Sequence, residues 1–282
     1  MNFLFTINDS YATPIQLLLF SIHKNMGGGH VFYFIHKNIV PANQTEIADY
    51  ARVRCLSEAR FIAFNELDLS QLPLCGTWSE EIYFRLFAPY LIPDLDAVLY
   101  LDGDTLVTGN LTSIWYEFLQ SKKTIGAVAN DIQELHIRRL SLPDDAVYIN
   151  SGVLFMNLKK MRHQNSFEDV WNQLILLSPR LQFPDQDYIN IVFAKDLFML
   201  DIRYNYMINL LERSAEYPKR DDFVVCHFVL SKPWNQEFLY KTDCIYLKYL
   251  ASAGKVRDAI SLYYQHRKRR WGTKIKNLMK LR

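Results

Sequence analysis

The chain of 282 residues contains no run of about eighteen apolar residues, so no helix is expected to span a bilayer. Its four cysteines, Cys55, Cys75, Cys226 and Cys244, are scattered and form no Cys-x-x-Cys pair, which points to a reduced, cytoplasmic chain. The opening MNFLFTINDSYA has no positive charge ahead of its short apolar stretch, and Asn8 and Asp9 interrupt that stretch, so no signal peptide is expected. The two glycosylation sequons, at Asn43 and Asn110, carry no meaning in that compartment. Internal repeats and low-complexity segments are also missing.

What is present is a long, half-apolar chain, 50% hydrophobic, able to bury a large core as one domain. Its charge is uneven. From Arg267 to Arg282 the tail carries about +8, leaving the rest at roughly −6. Trp271, Ile275, Leu278, Met279 and Leu281 recur near the interval of one helical face, as in a basic amphipathic helix lying on an anionic membrane surface. The rivals are a nucleic-acid contact or a solvated basic tail, and the body lacks the basic stripe of a nucleic-acid binder. The expectation is a domain over residues 1–240, a helical, basic, membrane-associating segment over 241–282, and a peripheral location on the inner face of the membrane.

The first half alternates strands and helices: strands at Asn2–Ile7, His30–His36, Arg60–Phe64 and Ala97–Leu101, with helices from near Pro14, over Pro41–Cys55, and from Ser79 through Arg85. Such alternation predicts an α/β fold with a mainly parallel sheet flanked by helices. Gly27-Gly28-Gly29 follows a helix and precedes a strand, the reverse of a phosphate-binding loop. Further strands are expected at Thr124–Val128, Val153–Met156 and Phe223–His227. Helices are expected at Ser166–Leu177, with Ser166 as N-cap, and from Pro184 through Phe193. A capping role alone would explain Asp185 or Asp187.

The strand ending at Leu101 delivers Asp102-Gly103-Asp104. In an extended backbone the two carboxylates point the same way, beyond the carboxyl end of the strand, where open α/β sheets bind ligands. Like charges so placed call for a cation, and hard oxygen ligands suit Mg²⁺ or Mn²⁺; a solvated turn is the plain alternative. Leu106 and Val107 stand where a calcium-binding EF-hand loop needs an oxygen ligand and glycine. A dehalogenase-type phosphatase would place its threonine one residue later than Thr105 and its motif near the N-terminus. That leaves the phosphatase a weak rival, and a third reading is a sugar-nucleotide transferase, in which a metal bridges the two aspartates and a diphosphate. His227, at the end of a later strand, offers imidazole as a third ligand.

The ordered set FTINDSY, the arginine of YFRL, YLDGDTLV, YINSGVLFMNLKKMR, PDQDYIN, and CHF followed by KPW resembles glycosyltransferase family 8, from about residue 3 to about residue 235. These are retaining bacterial galactosyl- and glucosyltransferases related to the lipooligosaccharide galactosyltransferases and, distantly, to glycogenin. The resemblance implies a GT-A type nucleotide-diphospho-sugar transferase fold and an α-linked transfer of glucose or galactose from UDP-glucose or UDP-galactose to a glycan, glycolipid or glycoprotein acceptor. It implies that Asp102, Asp104 and His227 hold Mn²⁺, or Mg²⁺, with the donor diphosphate, that Gly103 lies at the donor, that Tyr11 stacks on uracil beside Thr6 and Asn8, and that Lys232 contacts the diphosphate. Arg85, Asn150, Ser151, Asp185 and Gln186 match positions at the donor sugar or the reacting centre, with Gln186 and Asp185 as the catalytic pair.

The family often has Asp where this chain has Asn8, and usually reads His-Phe/Tyr-x-Gly-x-x-Lys-Pro-Trp where this chain runs from His227 to Trp234 one residue shorter and without the glycine. A glycine there would let backbone N–H groups approach phosphate. The shorter loop favours the competing class, a non-catalytic UDP-sugar-binding or partner-binding relative; the intact Asp102, Asp104, His227, Gln186 and Lys232 favour an enzyme. Retention can proceed by double displacement or by front-face attack, and a glutamine is a poor nucleophile for the first. Trp234 is expected to pack as an anchor for the Lys232 loop.

Overall fold

In the first two strands Phe3, Phe5, Phe32 and Phe34 enter the core on one face of the sheet while Leu4, Tyr33 and Ile35 enter it on the other. Continuous apolar runs of this kind form strands covered on both sides. The computed structural model describes residues 1–74, 79–131, 133–212, 221–229, 232–235 and 244–265. It begins β1 (Asn2–Thr6), α1 (Ala12–Met26), β2 (Val31–His36), α2 (Pro41–Arg54), β3 (Glu58–Ala63), α3 (Glu81–Leu91) and β4 (Val98–Leu101). It continues β5 (Thr105–Val107), α4 (Thr112–Ser121), β6 (Ile125–Val128), α5 (Gln133–Leu140), β7 (Val153–Met156), α6 (Leu158–Gln164), α7 (Phe167–Leu177), α8 (Pro184–Val192), β8 (Leu197–Leu200), β9 (Tyr206–Met207), β10 (Val225–His227) and α9 (Cys244–Ser252).

Seven strands form the central sheet in the order β3-β2-β1-β4-β7-β6-β8. It is mainly parallel, as the alternation predicted, but β7 runs antiparallel to both β4 and β6. That reversal matters for function, because the start of β7 then lies beside the end of β4: Leu101 pairs with Val153, and the Asp102 N–H donates to the Gly152 carbonyl at 2.8 Å. A second sheet, β5-β10-β9, stands beyond the same edge, and its register sets His227 opposite both Thr105 and Met207.

Helix signals that are local came through intact. Ser166 caps α7 with a reciprocal Asp169 contact, a capping box. β5 was not expected, because three residues after a turn are too short to carry a period and its partner β10 lies far along the chain. Nor were α4, α5, α6, β8 and β9 expected.

Asp102 and Asp104 also converge differently from the extended-backbone expectation. β4 ends at Leu101, and the chain turns so that both the Thr105 N–H and its hydroxyl donate to the Asp102 carbonyl, at 3.2 and 2.8 Å. The turn, and not strand alternation, brings the carboxylates together.

α9 places Tyr246, Tyr249 and Leu250 against Leu17, Leu106 and Phe228. Among the described residues no helix is long and apolar enough to cross a membrane. The basic run from Arg267 onward, with Trp271, lies outside the described residues.

Candidate active site

Two strand ends and one helix start meet at the carboxyl edge of β4. Asp102 and Asp104 come from the turn after β4, His227 from the end of β10, and Asp185 and Gln186 from the first turn of α8. Asp102, Asp104 and His227 each present a ligand atom within 4.8 Å of one another. His227 Nε2 stands 3.3 Å from Asp104 Oδ1 and 3.7 Å from Asp102 Oδ2. Asp104 Oδ1 is buried and, among the described residues, has no hydrogen-bond partner. A buried anionic oxygen without a donor, facing an imidazole nitrogen and a second carboxylate, is the donor set of a hard divalent cation such as Mn²⁺ or Mg²⁺.

The other Asp104 oxygen pairs with the Lys232 ammonium, which also donates to the Phe228 carbonyl at 2.8 Å. Burial alone would raise the Asp104 carboxyl, but Lys232 beside it outweighs burial and holds it well below the usual carboxylate range. Leu230 and Ser231, in the shortened stretch, lie outside the described residues.

Behind the carboxylates lies Arg85, delivered by α3 and almost fully buried. Its guanidinium reaches Asp102 Oδ1 at 3.0 Å and Asp185 Oδ2 at 3.2 Å, donates to the Ser151 carbonyl at 2.9 Å, and covers the Tyr100 ring at 4.2 Å. Burial would lower the arginine, but Asp102 and Asp185 more than compensate and keep it charged. Asp185 is shifted upward by burial, with Arg85 opposing and Asp102 adding to the rise. Tyr100 donates to Asp102 Oδ1 at 2.5 Å and lies 3.1 Å from the Thr6 hydroxyl.

Thr6, Asn8 and Tyr11, the residues expected beside a nucleoside, sit at and just after the end of β1. Asn8 caps the turn Asp9–Tyr11, accepting from Ser10 and donating to the Ser79 hydroxyl at 3.1 Å. Tyr11 lies directly over the turn: a Cβ on Gly103 would come within 2.7 Å of its ring. Its hydroxyl is shifted upward by burial and by Asp104 and Asp102. Trp234 contacts Tyr11 at 5.8 Å between ring centroids and Tyr246 at 5.6 Å, so it packs as an anchor.

On the opposite flank, Gln186 Oε1 accepts from Asn150 Nδ2 at 3.0 Å and the Ser151 N–H at 3.1 Å, while its Nε2 donates to the Tyr148 hydroxyl at 2.9 Å. The two acidic groups of α8 divide their work. Asp187, fully buried, accepts from Arg139, Tyr148 and the N–H groups of Gln182 and Phe183, and so performs the capping. Asp185 faces Arg85 instead.

Sequence reasoning missed Tyr100, Tyr148, Gly152 and Asn205. Tyr100 was findable, two residues before Asp102 on the same strand face. Gly152 was findable only with β7 in place: a Cβ there would meet His227 Cε1 at 2.1 Å and Asp102 Oδ2 at 2.9 Å. Gly152→Ala is therefore expected to displace the imidazole and weaken any divalent-cation binding at these three residues about 10- to 100-fold, with the far-ultraviolet circular dichroism unchanged. Calorimetric titration with Mn²⁺ checks it, and wild-type affinity would show that the site yields freely.

Residues 2–237 match the model of Glycosyl transferase family 8. A lipopolysaccharide 1,2-glucosyltransferase of Escherichia coli (strain K12) is 31% identical over 255 residues, covering 85% of this chain and 74% of its own. A second Escherichia coli lipopolysaccharide 1,2-glucosyltransferase is 27% identical over 245 residues, covering 81% and 71%. Among solved structures, the galactosyltransferase LgtC in complex with donor and acceptor sugar analogues superposes with a TM-score of 0.78 at 26% identity, over 89% of this chain and 96% of that one.

Proposed function

The chain belongs to glycosyltransferase family 8 and has its GT-A fold, and from that premise we propose that it moves glucose or galactose from the UDP-sugar to a lipid-linked glycan of the lipopolysaccharide-core kind, retaining the α configuration. The observation that carries the reading is the convergence of Asp102, Asp104 and His227 around the unpartnered Asp104 Oδ1. These residues would hold Mn²⁺ or Mg²⁺, which when bound neutralises charge developing on the diphosphate leaving group.

The chain's own groups do the rest. Lys232, on Asp104 without donor, supplies a second positive charge within reach of a diphosphate. Arg85 holds Asp185 at the sugar side, where its carboxylate binds a donor hydroxyl. Gln186 is held by three partners and lines the reacting centre; an amide so held positions the ring and is a poor nucleophile. Asp187, the next carboxylate, has both oxygens committed to Arg139. Asp185, the carboxylate left at the sugar side among the described residues, is tied to Arg85, so the acceptor attacks on the face the diphosphate leaves. Tyr11 stacks on uracil, a reading supported by its contact with the Asp102–Asp104 turn. The basic tail from Arg267, with Trp271 among its charges, docks the protein on the anionic inner membrane surface, where such acceptors lie.

The test is UDP release from a panel of UDP-sugars with Mn²⁺ or with EDTA. Release from one UDP-hexose that EDTA abolishes and Mn²⁺ restores is expected. Absence of metal-dependent binding of any UDP-sugar would overturn the assignment.

A further inference from the structure

We propose that Asn205 is a positioning residue that fixes the ring tautomer of His227, so that Nε2 faces Asp102 and Asp104 as a lone pair ready for a divalent cation. The inference rests on the metal reading of those three residues. Asn205 precedes β9 and is fully buried beside the buried His227. Its role follows from a directional chain of hydrogen bonds that starts on two groups that can only donate.

The first is the Gly152 N–H, which donates to one Asn150 side-chain atom at 3.0 Å and so identifies that atom as Oδ1. The second is the Ser151 N–H, which at 3.1 Å identifies Gln186 Oε1 in the same way. Asn150 Nδ2 then donates to Gln186 Oε1 at 3.0 Å, which agrees with both assignments. The Asn205 atom that lies 2.7 Å from Asn150 Oδ1 must therefore be Nδ2, the donor. Its other end, Oδ1, can only accept, and it lies 2.8 Å from His227 Nδ1. The proton of a neutral His227 is thus held on Nδ1, and Nε2 is left as the lone pair toward Asp104 Oδ1 at 3.3 Å. Outer groups that fix a ligating histidine in this way raise its basicity and set its orientation. Through Asn150 the same chain ties the cation side of the site to Gln186, so one buried amide orients both.

The substitutions separate this role from packing. Asn205→Asp keeps an acceptor for Nδ1–H, gives up the donor to Asn150 and adds an ionisable carboxyl on the Nδ1 side of the ring. Asn205→Ala removes both. In the full-length, metal-free protein, at a pH where the nitrogen-15 shifts show a singly protonated ring, His227, assigned by the loss of its signals in His227→Gln, is expected to carry that proton on Nδ1. Mn²⁺ affinity by calorimetry is expected to fall about 10- to 100-fold in Asn205→Ala and to stay within about threefold in Asn205→Asp. A wild-type ring protonated on Nε2 overturns the proposal, and so does a folded Asn205→Ala that binds Mn²⁺ as the wild type does. If Asn205→Ala does not fold, the wild-type tautomer decides alone. If wild-type protein binds no Mn²⁺ at all, the metal reading fails, while the ring shifts still report on Asn205.

Discussion

Asp104→Asn is expected to lower transfer from the nucleotide-sugar donor by at least about a thousandfold, equivalent to roughly 4 kcal/mol of transition-state stabilisation. The substitution keeps the shape of the side chain in its buried position and removes its charge. What it takes away is the negative charge shared by the oxygen that has no hydrogen-bond partner and the one that holds Lys232 at the site. The same substitution has a pH signature in stability. The folded Asp104 carboxyl sits below its ordinary value, so it stabilises the native state above the ordinary aspartate range, and this contribution is lost as the pH falls through the folded value. The variant should therefore melt below the wild type at neutral pH, with the gap closing under acid. UDP release with Mn²⁺ and paired thermal melts check both parts. Activity within tenfold of the wild type would remove Asp104 from the mechanism.

The parts of this molecule legible in its sequence are those whose cause is local. Phe3, Leu4 and Phe5 announce a strand covered on both faces, and Ser166 with Asp169 announces a helix start. Asp102-Gly103-Asp104 was conspicuous because two carboxylates after an apolar run demand an explanation. What local pattern did not carry is direction and company. Nothing in VLFM says that β7 runs backwards, yet that reversal sets Asn150, Ser151 and Gly152 beside Asp102. Nothing in IRYNYM marks Asn205, which acquires its meaning only when β9 pairs with β10 and the residue before the strand meets a histidine 22 positions later. Asp185 and Asp187 sit two apart in one helical turn and look alike in sequence. Their separate roles come from Arg85 and Arg139, which arrive from two other helices.

Arg85→Ala is expected to destabilise the fold by about 3–5 kcal/mol at neutral pH, the range found when one partner of a buried ion pair is removed. The arginine is the cation that two carboxylates share in the site's interior, Asp102 at 3.0 Å and Asp185 at 3.2 Å, and its plane also covers Tyr100. Removing it strands Asp185 among buried groups and leaves the Ser151 carbonyl without its guanidinium donor. Arg85→Lys should recover only part of the loss, because an ammonium carries the charge but lacks the planar fork that spans two carboxylates and a carbonyl. The pH dependence follows from Asp185. Its folded carboxyl is already raised, so the folded state binds more protons than the unfolded chain between the ordinary value and the raised one, and stability declines as the pH rises through that window. Without the opposing arginine the window widens upward. The deficit of Arg85→Ala relative to the wild type should therefore be largest at neutral pH and narrow as the pH falls toward the ordinary aspartate value. Urea unfolding at about pH 7 and about pH 5 measures it. A deficit under about 1 kcal/mol would place Arg85 among the ion pairs that contribute little, and one that stayed constant with pH would mean that the loss comes from packing against Tyr100 and not from stranded charge.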